Sequence, residues 1–281
     1  MRKIKLVVDS TCDLPKKFLK ENDVAVVPLS ISFKEEIYKD GVDITVKKLY
    51  EYVDKKRMLP KTSALTTYEL IQEFKKWVDK DYDVFFISIS SNFSCSLQNA
   101  HIAAEEFDGR VIAFDSQNLS SGIGLLICKA IDLKDKVESI KELEEKLNYY
   151  VPRVRSQFAV ETLDYLYKGG RCSSLVFIFG KGLHIRPIIR VTGGKMSVFR
   201  KPRGKMVKAL NELIQIFKDD LANIDLDRVM LTHSLAPESM EYLKQELLKL
   251  IPEEKLMITE AGSIISAHCG KGTIGILYIV K

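Results

Sequence analysis

Cysteine and histidine are scarce in this sequence, with five and four copies among 281 residues. The cysteines (Cys12, Cys95, Cys128, Cys172 and Cys269) are odd in number and widely separated. That excludes a disulfide framework and the paired spacing of a zinc site. No two histidines share metal-ligand spacing, so no metal is expected. No apolar run reaches the length of a membrane span; the most apolar, Leu175 to Phe179, stops at Gly180. The apolar run near the N-terminus is far too short for a signal peptide. Charge of one sign is also lacking: 43 basic and 38 acidic residues leave +5, dispersed along the chain, which argues against nucleic acid. There is no internal repeat and no low-complexity segment. Together these absences predict a cytoplasmic protein with reduced thiols and no stable insertion into membranes.

What is present begins with length and an ordinary composition, 46% apolar and 29% charged, which predict a globular chain of two domains. One stretch stands out. Val84–Ile89 is an apolar, aromatic and β-branched run that reads as a buried strand. Leu97, Ala100, Ala104 and Phe107 then follow at helical spacing. Between them lie Ser90, Ser91, Asn92, Ser94 and Ser96. A strand turning directly into a helix leaves unpaired N–H groups at the helix start, where an anion is favoured. An N-cap at Asn92 or Ser94 would account for one of the five polar residues. Two further hydroxyl-rich segments, Thr62-Ser63 and Ser116–Ser121, fall on the same expected rim.

The pattern around this stretch alternates strands (Ile4–Ser10, Val24–Pro28, Arg110–Ser116) with amphipathic helices (Val46–Lys56, one opened by a capping box at Thr66–Glu69, and Ile123–Leu133). Residues 31–41 read as a hairpin or loop, and Leu59–Ser63 as a polar turn. Such alternation predicts parallel βαβ units, whose ligands bind beyond the carboxyl ends of the strands. Glu138–Val154 reads as a helix that bridges to a second domain. There, a short helix at Thr162–Tyr167 closes on Lys168-Gly169-Gly170-Arg171, and Ser173–Gly180 reads as an apolar helix, buried or lining a cavity. A hairpin turns at Gly193-Gly194, and strands at Leu256–Thr259 and Thr273–Val280 flank Ile264–Gly272. His268 there precedes a Gly-Lys-Gly turn at the end of an apolar strand, where backbone approaches a ligand closely. His101 reads as partly buried or exposed without a role, and His184 and His233 read as structural. The second part is α+β rather than doubly wound.

Three chemistries fit these residues. A serine hydrolase using Ser94 and His268 has the right chain order, but the nucleophile elbow requires glycines where Asn92 and Ser96 stand. A nucleotide site lacks both the P-loop and the dinucleotide fingerprint. Binding of an anionic amphiphile needs only an anion cradle beside an apolar cavity, and the sequence offers both.

Asp9-Ser10-Thr11-Cys12-Asp13-Leu14-Pro15, Lys61-Thr62-Ser63, Ser90–Ala100, Lys168–Arg171 and Gly262…His268–Gly272, in that order, resemble the DegV family over essentially the whole chain. The resemblance implies an α/β fold: an N-terminal parallel-sheet βαβ domain (1–154) carrying a carboxylate cradle, and a smaller α/β C-terminal domain (155–281) contributing the acyl-chain pocket. It implies a fatty-acid-binding protein without cofactor or catalytic residue, holding a long-chain acid such as palmitate. At least some such proteins present the carboxylate to a separate, ATP-binding kinase subunit that converts it to acyl phosphate. The implied carboxylate ligands are Thr62 and Ser94, with Ser63, Arg171 and His268 in support. Three segments depart from the family pattern: Cys95-Ser96 replaces Gly-Thr, Ala64-Leu65 replaces Gln-Pro, and Lys271 replaces proline in the His-x-Gly-Pro-Gly turn.

Overall fold

The computed structural model describes residues 2–171 and 185–281. Cys172, His184 and the apolar helix expected over 173–180 lie outside the described residues. The first half runs β1 (Lys3–Asp9), α1 (Lys16–Glu21), β2 (Ala25–Val27), β3 (Ser30–Phe33), β4 (Glu36–Lys39), α2 (Val46–Lys56), β5 (Lys61–Ser63), α3 (Thr67–Val78), β6 (Tyr82–Ser88), α4 (Ser96–Ala104), β7 (Val111–Asp115), α5 (Ser121–Leu133) and α6 (Ile140–Asn148). Then come β8 (Val154–Ala159), α7 (Asp164–Lys168), β9 (Ile188–Thr192), β10 (Lys195–Arg200), α8 (Met206–Asp220), β11 (Ile224–His233), α9 (Pro237–Leu247), β12 (Leu256–Glu260), α10 (Ser263–Cys269) and β13 (Ile274–Val280).

β2-β1-β6-β7 form a parallel sheet, as alternation of strands and helices requires. The later strands make a mixed sheet, β10-β9-β8-β13-β11-β12, in which β11 and β12 are the parallel pair. The fold class expected from the sequence is the one observed. A small antiparallel sheet, β4-β3-β5, projects from the first half. The segment around Lys61-Thr62-Ser63 is therefore a strand rather than a turn, because Ile31 pairs with Thr62 across it. That pairing is a long-range partner that three polar residues do not announce.

The layers follow from where the apolar faces point. α3 and α4 cover one face of the parallel sheet through Phe74, Phe86, Leu97 and Ala100. α5 lies between the two sheets, touching β1 and β6 on one side and β8, β11 and β13 on the other. It is buried continuously from Ser121 to Ala130, as a helix apolar on all sides must be. One cluster consequently runs from Leu6 and Phe85 through Leu126 to Phe158 and Leu277. α8 and α9 close the outer face of the mixed sheet around Leu213, Phe217 and Tyr278.

Two local expectations are corrected. A seven-residue turn, 89–95, separates β6 from α4, so strand and helix are not directly joined. Residues 263–269 form a helix, not part of an apolar strand. Isoleucines in a run this short fit either period. Gly262 at the start and Gly270, at φ 84°, mark the helix limits.

α5 approaches β8 so closely that a Cβ on Gly122 would lie 2.0 Å from Asn118 Oδ1 and 2.4 Å from Ser156 Oγ. Those two groups are themselves hydrogen-bonded at 2.5 Å. Gly122→Ala is expected to destabilise the protein by about 1–3 kcal/mol through overpacking. Urea unfolding should show a lower midpoint at unchanged slope.

Candidate functional site

Asp9 ends β1 as a buried carboxylate and accepts from Thr11 N (2.9 Å), the Thr11 hydroxyl, Ser88 Oγ (3.2 Å) and Ile89 N (2.8 Å). Burial raises its pKa, while these four donors pull the other way. The carboxylate thereby fixes how the chain leaves β6 into the serine-rich turn.

Within and just after that turn the serines differ in their partners. Ser90 is buried and donates to Gly194 O (3.0 Å), holding the tip of the β9–β10 hairpin. Ser91 donates to Asp115 (2.9 Å). Ser96 accepts from Leu65 N (3.1 Å), and Asn99 donates to Leu65 O (2.7 Å). The start of α4 therefore grips the chain just after Thr62-Ser63. Ser94 accepts from Ser96 N (3.2 Å), and its Oγ lies 2.9 Å from Ser96 Oγ. The N-cap position itself falls on Cys95, whose side chain makes no cap. When Ser96 donates along the Oγ–Oγ contact, the Ser94 proton is left to point elsewhere.

It has a place to point. Thr62, Ser63, Ser94, Arg171 and His268 all line one cavity of about 260 Å³. The rest of its wall is largely apolar, including Leu29, Ile89, Phe93, Leu119, Leu166 and Met196. Among the described residues no carboxylate lines it. Leu119, Ile265 and Cys269 also wall a second space of about 30 Å³ between the sheets. The Ser116–Ser121 hydroxyls, expected on the same rim, turn away instead. Ser116 donates to Asn118 O, Ser120 to Asp13, and Ser121 joins Thr232 and Thr259 in a closed triangle of hydroxyls.

His268 sits in the last turn of α10, with Nε2 2.8 Å from Thr62 Oγ1. Its Nδ1 is buried with no hydrogen-bond partner among the described residues and faces Gly169, where a Cβ would come within 2.4 Å. Burial, and secondarily the Arg171 guanidinium, push the His268 pKa down to about 4. The ring is neutral at physiological pH. Arg171 reaches Gly169 O (2.7 Å) and Phe93 O (3.4 Å) across the mouth.

The hydrolase geometry is absent from this arrangement. His268 bonds to Thr62 and Ser94 to Ser96, so the nucleophile–base contact of a triad is not made. The sequence singled out Thr62, Ser63, Ser94, Arg171 and His268 and the structure brings all five together. It missed the grip of Ser96 and Asn99 on Leu65, and the space Gly169 leaves for the imidazole. Only the double glycine gave a signal for the latter.

The class is thus an α/β protein whose largely apolar cavity gathers a few hydroxyls, one imidazole and one guanidinium. The sequence matches the family described as "Uncharacterised protein, DegV family" over residues 3–281, and the chain belongs to it. A DegV domain-containing protein of Clostridium acetobutylicum is 34% identical over 282 residues, covering 100% of both chains. Among solved structures, a fatty-acid-binding DegV family protein from Thermus thermophilus superposes with a TM-score of 0.92 at 28% identity, covering 100% of each chain. A stearic acid-binding protein from Eubacterium ventriosum gives 0.84 at 28% identity, covering 100% of this chain and 99% of that one. Among the described residues no helix is long and apolar enough to cross a membrane.

The depressed His268 pKa makes a direct prediction. The fold favours the neutral ring, so its stabilising contribution is complete above the ordinary value of 6.5 and is lost as pH falls through about 4. An NMR titration of the His268 ring should show no protonation between pH 8 and 5. Titration near 6.5 would mean that the ring is not desolvated.

Proposed function

We propose that this protein binds a long-chain fatty acid, with its carboxylate on Thr62 and Ser94 and its chain in the apolar cavity. The observation that carries this reading is that both hydroxyls line one cavity whose lining is otherwise largely apolar. Residues 1–154 then supply the cradle, while 155–281 supply His268, Arg171 and the far wall of the acyl pocket. Similar proteins described as fatty-acid-binding support the same ligand class.

The proton inventory fits an anion. If His268 Nε2–H donates to Thr62 Oγ1, the Thr62 hydroxyl is free to donate to a carboxylate, and Nδ1 keeps a bare lone pair against Gly169. Ser96 plays the equivalent part for Ser94. Ser63 and Arg171 stand at the mouth, where the cation adds a screened attraction. A sixteen-carbon acid such as palmitate carries about fourteen methylenes. At about 0.8 kcal/mol each, burying them offers on the order of 11 kcal/mol before ordering costs. Each charge-assisted hydrogen bond adds about 1.5–3 kcal/mol. The chain supplies affinity and the cradle supplies orientation.

Beyond carrying the acid, the protein presents its carboxylate to a separate kinase subunit in the cytoplasm for conversion to acyl phosphate. This chain needs no general base for that step, because the carboxylate is already ionised near neutral pH and the partner brings ATP. A basic run at the end of β10, Arg200, Lys201, Arg203 and Lys205, offers a surface to steer that partner.

Ser94→Ala should weaken binding of a fatty acid by about one to two orders of magnitude. The matching fatty alcohol, which carries no anion, should lose much less. Thr62→Val should behave alike, and the double variant less than additively. Titration of both ligands alongside melting curves tests this; equal losses for acid and alcohol, with a lower melting temperature, would reduce Ser94 to a helix cap.

Reversing Arg203 and Lys205 to Glu should slow acyl phosphate formation in the reconstituted pair and leave lipid affinity unchanged. If the rate is the same across a salt series, the basic run has no part in presentation.

A further inference from the structure

Two buried carboxylates of the first half remain unused by the cradle. Asp13 and Asp40 are only 7% and 4% exposed. Neither has an ion-pair partner among the described residues. Burial raises the pKa of both, and the nearby Asp40 carboxylate raises that of Asp13 further. Such groups are costly unless donors surround them. Here two of the donors come from the start of one helix, α10. Gly262 N donates to Asp13 Oδ1 (2.8 Å), and Ser263 N donates to Asp40 Oδ1 (2.9 Å). The first turn of α10 leaves these N–H groups without partners inside the helix, and its dipole favours negative charge there. A Cβ on Gly262 would stand 3.1 Å from Asp13 Oδ1 and 3.2 Å from Asp40 Oδ2. The two carboxylates thus close on the bare backbone from two sides.

The second oxygen of Asp13 accepts from Ser120 Oγ (2.5 Å), at the start of α5. Asp13 and Ser120 both hold positive φ, at 54° each, which is costly for residues with a Cβ. The strain is placed where it aims one carboxylate at two helix starts. In sequence α10 belongs to the mixed sheet, between β12 and β13. Its N-terminus is nevertheless fastened to loops of the first half, the same half that supplies Thr62.

We infer that Asp13 and Asp40 are positioning residues for His268: by fixing the start of α10 they set where its last turn places the imidazole over Thr62. The lever is short. From Gly262 to His268 is about 9 Å at 1.5 Å per residue. A tilt of about 10° would move the ring by about 1.6 Å over that rise, enough to break the 2.8 Å contact with Thr62. The consequence for ligands rests on the fatty-acid reading; the positioning of the ring does not.

The test uses Asp13→Asn, Asp40→Asn and the double variant of the full chain. In ligand-free protein, ¹⁵N NMR of the His268 ring reads its hydrogen bond and its titration. Loss of the clamp should return the midpoint from about 4 toward 6.5 and alter the Nε2 resonance. With palmitate and hexadecanol as probes, the acid-to-alcohol affinity ratio should fall by about tenfold in the double variant. In a His268→Ala background the same changes should leave that ratio where it is. Unchanged ring resonances and ratio, with only a lower melting temperature, would overturn the inference and leave the carboxylates as structural braces. Should the double variant not fold, Ser120→Ala, which removes a single bond from Asp13, gives the same readings at smaller amplitude. If the wild type binds neither probe, the fatty-acid reading fails, and the ring titration still decides the positioning.

Discussion

The carboxylate of Asp9 is the constraint on which the site depends. A parallel sheet delivers all its following loops to one edge, but nothing in the ladder fixes how those loops depart. Asp9 does so by accepting from its own loop through Thr11 and from the neighbouring strand end through Ser88 and Ile89. Its burial would be prohibitive without those donors. From this point the two loops diverge in defined directions. One carries Asp13 toward α10, and the other carries Ser90 to the β9–β10 hairpin and Ser94 to the cavity. Ser96 and Asn99 then draw in the segment after Thr62. The two hydroxyls line one cavity because polar groups stitch three chain segments together, while the apolar core decides only that the sheets stack.

The electrostatics of the cavity are moderate by construction. A fully desolvated cation opposite a carboxylate would bind it strongly and release it slowly. Here the buried base is a neutral imidazole and the cation, Arg171, is exposed at the mouth. Neutral donors give direction to an anion at about half the strength of an ion pair. On the proposed reading, in which a fatty acid is handed on, discrimination by geometry with affinity from the acyl chain is the workable division.

How much of this was legible beforehand depends on the range of each interaction. The βαβ alternation, the capping box that Thr66 and Glu69 form, and the Gly193-Gly194 hairpin are local, and each appears where the sequence pointed. The helical state of Ser263–Cys269 was not legible, because its N-terminal partners Asp13 and Asp40 lie over 200 residues away. The hydroxyl-rich loops were legible as a group and not individually. Whether a serine faces a cavity or a backbone carbonyl is settled by its tertiary neighbour, as Ser90 on Gly194 and Ser121 on Thr259 illustrate. Ser94 shares their composition and differs only in what surrounds it.

The departures from the family pattern can be weighed in the same physical terms. Cys95 replaces a glycine, yet its φ of −77° is one that any residue adopts, so the backbone there never required glycine. Its side chain is exposed at the cavity mouth, which leaves the Ser94 hydroxyl undisturbed. Lys271 replaces proline between Gly270 and Gly272, and those two retain φ of 84° and 83°. The turn keeps its glycines where positive φ demands them and loses only a stiffening residue. Gly169 is different in kind. Its φ is ordinary, but any side chain would collide with His268 Nδ1, so the glycine serves the imidazole rather than the turn. Gly170, at φ 68°, makes the turn that sends Arg171 back across the mouth. Substitutions are thus tolerated where the backbone is relaxed and the side chain faces solvent. Gly169, Gly170, Gly270 and Gly272 stand where a positive φ or the histidine disfavours any side chain.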